Sequence, residues 1–141
     1  MILPLEQQLT SLEISKQMAE LGFVQDSLWY WYCEEVADIP SEHGGSIHKW
    51  ELAHFHEGNM PIFDDELEFY SAYTVAELLN MLPNCITKDE TRKQCIVYNF
   101  KGLWNVDYCK NLFCGDVQTY DVHTSDALAK MLIHLNQNNL N

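Results

Sequence analysis

The sequence predicts an α+β fold: an antiparallel sheet of about four to five strands with three helices packed on it. Three observations point there. Two segments, "YSAYTVAELLNMLP" (70–83) and "HTSDALAKMLIHL" (123–135), pair a helix-start signal with a leucine stripe. One segment, "SLWYWYCEE" (27–35), is densely aromatic, as suits a pleated surface. The remaining β-rich runs follow one another across short Gly- and Pro-marked breaks, without the strand–helix alternation of a parallel sheet.

Taken in order, the first helix is expected over about residues 11–21. Thr10 and Glu13 in "TSLE" fit a capping box. Ile14, Met18 and Leu21 share one face, and Gly22 supplies the left-handed residue that closes the helix, with Phe23 folding back. The aromatic strand places Leu28, Tyr30 and Tyr32 on one face and Trp29, Trp31 and Cys33 on the other. Neither face is strongly polar, so the strand is expected to be covered on both sides. "DIPSEHGG" (38–45) breaks the chain, and "SIHKWELAHFHEG" (46–58) is the expected hairpin partner.

A turn and an acidic run (59–68) precede the second helix. Thr74 is its N-cap, Glu77 completes a capping box, and Val75, Leu78, Leu79 and Leu82 form the stripe that Pro83 ends. "TKDETRKQ" (87–94) reads as a charged loop. "CIVYNF", "KGLWNVDYC" and "CGDVQTYDV" read as strands. The last helix starts at Thr124 or Ser125, with Asp126 in the first turn where the helix dipole favours it. Leu128, Met131, Leu132 and Leu135 are its buried stripe. The predicted order is α-β-β-α-β-β-β-α in one globular domain spanning 1–141, with a polar tail from about 136.

The chain has 141 residues, 47% of them apolar and 12% aromatic, which argues against disorder. Twenty-one acidic residues against eight basic give a net charge of −13. Nucleic acid and anionic membranes are disfavoured partners, because phosphate binding needs Lys and Arg; a basic protein surface is attracted instead. No basic leader and no long apolar run is evident, and the five cysteines are irregularly spaced, so reduced thiols in a cytoplasm are expected.

The helix segments "YSAYTVAELLNMLP" and "DALAKMLIHL", with "SKQMAELGF" near the start, resemble segments in a group of small uncharacterised proteins from phages, prophages and gut bacteria such as Bacteroides and Clostridia. That resemblance implies a mobile-element origin and a bacterial host cytoplasm. It transfers no catalytic residue.

"HGGSIHKWELAHFHEG" holds the one suggestive cluster. On a regular strand His48, His54 and His56 point to one side, where imidazoles can hold a divalent metal; Glu51 and Glu57 lie on the other face. As polar strand residues the same histidines need no metal. "DDELE" (64–68) lacks a calcium-loop spacing, Cys109 and Cys114 lack a second ligand pair, and no nucleophile elbow, P-loop or dinucleotide fingerprint is present. No cofactor is therefore expected. Trp29 and Trp31 belong to the core or to an interface. The expected function is a non-enzymatic phage accessory protein that binds another protein through an acidic, aromatic surface. The alternatives are a small metal-dependent enzyme using His48, His54 and His56, and a structural homo-oligomer.

Overall fold

The computed structural model describes residues 4–36, 47–54, 68–88, 91–109 and 117–140. Its elements are α1 (Leu5–Gln8), α2 (Leu12–Glu20), β1 (Trp29–Val36), β2 (Ile47–His54), β3 (Phe69–Ser71), α3 (Val75–Met81), β4 (Cys85–Lys88), β5 (Thr91–Phe100), β6 (Leu103–Cys109), β7 (Val117–Asp121) and α4 (Thr124–Gln137). The fold is α+β, with every strand pair antiparallel. The strands divide into two sheets, of order β2-β1-β3 and β4-β5-β6-β7. Two of the seven strands go beyond the five in the expected order: β3, which completes the first sheet, and β4, which extends the second, where β5 also begins earlier than expected, at Thr91.

α4 is the centre of the molecule. Ala127, Leu128, Ala129, Met131, Leu132, Ile133 and Leu135 are all buried, so the helix is covered nearly all round. One side packs on β6 and β7, and the other on α2 and α3. Lys130 is its charged outlet, held by Asp121 at 2.7 Å. The core cluster adds Ile14, Met18, Leu78, Leu82, Ile86, Val106, Tyr108 and Val117.

The expected tail is partly structured. α4 runs through Gln137, Asn139 adopts φ +53, and the Leu140 amide donates to Leu135 O at 2.9 Å. That is a Schellman closure, and it turns Leu140 back onto the core. α2 ends the same way. Gly22 has φ +85, and Phe23 N donates to Met18 O at 3.1 Å. The chain there needs a left-handed residue, and glycine adopts that conformation without a Cβ penalty.

Four local expectations are corrected. Ser11, not Thr10, caps α2, accepting from the Ile14 amide. Thr10 is fully buried one residue earlier, in a β-bridge beside Leu9 and Thr74, where its hydroxyl accepts from Tyr73 N at 2.9 Å. On α3 the Thr74–Glu77 capping box forms, and Leu82 is extended before Pro83. Leu79, however, is 49% exposed. α3 has only two turns, and its contact with α4 is centred on Leu78 and Leu82, which leaves Leu79 at the edge of the stripe. The charged loop 87–94 is mostly strand. β4 and β5 pair from Cys85↔Gln94 to Lys88↔Thr91, so charge was no obstacle to a hairpin. Finally, Leu28 is 58% exposed and precedes β1, and within β1 Trp29, Trp31 and Tyr32 are only half-buried, so the aromatic strand is not fully covered.

Candidate functional site

The β1–β2 hairpin forms as expected, in the register Trp29↔His54, Trp31↔Leu52 and Cys33↔Trp50. Residues directly opposite share a face. Trp29, Trp31, Cys33, Trp50, Leu52 and His54 therefore line one side of the three-stranded sheet. β3 adds Tyr70 opposite Trp31. This face meets α2. The Lys16 ammonium sits 4.5 Å from the Trp50 ring centre and 5.8 Å from that of Tyr70, a cation–π contact beside an aromatic pair at 5.7 Å.

The two predicted interaction residues separate. Trp31 donates its indole N–H to Thr10 O at 2.9 Å, an anchoring role in the scaffold. Trp29 lies against the His54 ring at 4.7 Å and forms one wall of a cavity of about 350 Å³. The rest of that wall includes Leu5, Gln8, Thr74 and Thr124. The lining is apolar with uncharged polar groups, so it offers shape but no charge to a ligand.

Of the three predicted metal residues, His54 stands next to Trp29. The backbone of His48 pairs opposite Glu35. The side chain of His48, and all of His56, lie outside the described residues. Among the described residues no group of three His, Cys, Asp or Glu side chains is placed to hold a metal. The acidic run 64–67 and Cys114 also lie outside them.

A buried polar junction joins the sheets. Thr10 exchanges hydrogen bonds with Tyr73, its hydroxyl touches that of Ser15 at 2.8 Å, Ser125 donates to Leu9 O at 2.8 Å, and Asp126 accepts from Ser11 N at 2.8 Å. Three consecutive residues, Leu9 to Ser11, thereby bind α4, β1 and the approach to α3. Burial pushes the Tyr73 phenol up to about 12 and raises the Asp126 carboxyl, against the pull of its Ser11 hydrogen bond. These groups fit a structural tie. A phenol that donates near neutrality would have to be shifted down, not up.

Two surfaces stand out from the scaffold. The first is acidic. Fifteen of the 21 acidic residues but only two of the eight basic ones precede residue 78, so this part holds the whole net charge of −13; the remainder has six of each. Glu13, Glu20, Asp26 and Glu68 are exposed there. The second surface is apolar, and sequence reasoning missed it. On the outer face of the four-stranded sheet Phe100 opposes Leu103, and Asn105 lies between Tyr98 and Tyr120. Phe100, Tyr120 and Val122 are each 60% exposed, and Tyr98 and Leu103 are 38% exposed. Tyr98 donates to Asp107 Oδ2 at 2.8 Å, which pushes its phenol up, and Gln118 donates to Asn105 Oδ1 at 3.1 Å. The signal was legible. In "QCIVYNF", Cys95 and Val97 serve the core, while Ile96, Tyr98 and Phe100 at the other parity are apolar as well.

Among the described residues no helix is long and apolar enough to cross a membrane. Compared with family models, with curated proteins and with solved structures, the chain matches none.

Proposed function

We propose that the chain is a non-enzymatic interaction protein that recognises a basic protein surface through its acidic, aromatic first half. The observation behind this reading is the segregation of charge. The net −13 falls wholly within residues 1–77, the same part that builds the three-stranded sheet with Trp29, Trp50 and Tyr70 half-buried on it. An uneven field of this kind steers a partner of opposite sign and fixes which side it meets. Half-buried aromatics beside the charge supply the apolar contact that charge alone lacks. The phage-encoded accessory role, in a bacterial host cytoplasm, is the implication of the segment resemblance and belongs to the same proposal.

The test is retention of a partner from source-cell lysate on immobilised chain. A specific basic protein should be held at about 50 mM salt and released by about 500 mM, where exposed charges are screened beyond a few Å. Replacing Glu13, Glu20, Asp26 and Glu68 together by Gln should abolish retention while the circular dichroism stays unchanged. A partner held equally by wild type and the neutralised variant would sink the reading.

A further inference from the structure

We propose that the outer face of the four-stranded sheet is a self-association surface and that its occupant is a second copy of this chain. This proposal is independent of the basic-partner reading, because it concerns the opposite side of the molecule.

Tyr98, Phe100, Leu103 and Tyr120 form one contiguous patch, since their strand positions are neighbours on one face, and the exposed Val122 directly follows β7. The tight turn Lys101–Gly102, with both residues at positive φ, gathers the patch at one end of the sheet. Aromatic rings in this number on an outer sheet face mark an interface.

Charge selects the occupant. Residues 78–141 hold equal numbers of acidic and basic side chains, so this half has no net field to draw a strongly basic or acidic partner. Its layers run from the outer face through the four-stranded sheet to α4, then α2, then the three-stranded sheet, in the order of their contacts. Two copies meeting by the outer face keep the exposed Glu13 and Glu20 of α2, and Glu68 beside β3, away from the contact.

The patch is also self-complementary in chemistry. Tyr98 and Tyr120 are rings with a polar end, and Asn105 between them is bonded to Gln118 and donates to Leu103 O at 3.1 Å. Under a two-fold axis each ring meets its counterpart or the amide row. Three half-exposed aromatics with Leu and Val offer about 400 Å² of apolar surface. A standard interface buries about 800 Å² on each side, so the amide rim has to supply the rest. The pair is therefore a reversible one, forming over roughly 10–500 μM chain.

Sedimentation equilibrium of the full chain under reducing conditions tests this. Between about 5 and 500 μM the mass should rise from 16.4 kDa toward twice that value. Phe100→Glu and Tyr120→Glu should each weaken the association at least about tenfold, equivalent to about 1.4 kcal/mol, with unchanged circular dichroism because both sites are exposed. The four-residue neutralised variant should associate as well as wild type. Raising salt should leave the dimer intact, whereas it should release a basic partner. A mass fixed at 16.4 kDa throughout, a dimer indifferent to both sheet variants, or a dimer lost on neutralising the acidic half would each overturn the proposal.

Discussion

The two sheets of this molecule do different work. The four-stranded sheet lies against α4 and contributes Ile86, Val106, Tyr108 and Val117 to the main core. Among the described residues, the three-stranded sheet contributes none of its own strand residues to that cluster. Its buried Cys33 lies on the face that meets α2, and its buried Tyr30 and Ser71 lie on the other. It is joined to the rest by hydrogen bonds as much as by apolar contact. Charge follows the same division along the chain: residues 1–77, which supply the three-stranded sheet, hold the whole net charge, and residues 78–141 are balanced. Burial of α4 stabilises one half strongly enough that the other can hold repelling carboxylates and half-exposed rings, which are useful for binding and poor for folding.

The division is most easily broken at α4. Leu128→Asp places an unpaired charge at a site with no exposure, and Leu132→Asp does so at 4% exposure. Each should cost about 3–5 kcal/mol, a large part of the total stability of such a domain, and leave the chain unfolded or nearly so in a thermal melt. Leu79→Asp, on the exposed edge of α3, should change stability by no more than about 0.5 kcal/mol. Equal losses at Leu79 and Leu128 would refute the assignment of the core.

Thr10→Val removes the hydroxyl that accepts from Tyr73 N and leaves that amide buried without its partner. A loss of about 1–3 kcal/mol is expected, read as a lower urea midpoint at unchanged slope. A neutral result would mean that the junction does not couple the sheets. Thr74→Ala, which breaks a complete capping box, should cost about 1 kcal/mol.

Acid titration sharpens the comparison at the start of α4. Burial raises the Asp126 carboxyl. The folded state then takes up its proton before the unfolded chain does, so this group adds stability as pH falls through its folded value. Burial also pushes Asp121 up, but the His123 amide and Lys130 outweigh it and hold the carboxyl low. Its contribution is present above the unfolded value near 3.8 and is lost as pH falls below it. Asp126→Asn should therefore flatten the gain in stability on acidification, and Asp121→Asn should flatten the loss. Opposite slopes in the two variants' urea midpoints between about pH 6 and 3 are the expected result. The smallest effect is reserved for metal. Chelator should leave the melting temperature unchanged. A stoichiometric metal lost in His54→Ala would bring the histidine site back.

Local signals were legible where one short stretch decides the outcome. The Thr74–Glu77 box, Gly22, Pro83 and the α4 stripe all lie within a few residues of what they control. The errors came where a distant partner decides. Thr10 left its expected cap because Tyr73, 63 residues later, offered an amide. β3 is three residues long and exists only through its pairing with β1. The charged segment 91–94 became strand because Cys85–Lys88 lay alongside it. The apolar outer face was written in the parity of β5, but apolar residues at both parities read as a fully covered strand until the pairing shows one side bare.

Residue-resolved hydrogen exchange of the native chain tests the division most directly. Amides of α4 and β6 should exchange slowest, only through global unfolding, while those of β1, β2 and β3 exchange at least about tenfold faster through partial opening about the Leu9–Ser11 junction. Amides of β1 and β2 as slow as those of α4 would contradict it, and would mean that the acidic half is held as firmly as the core beneath the neutral one.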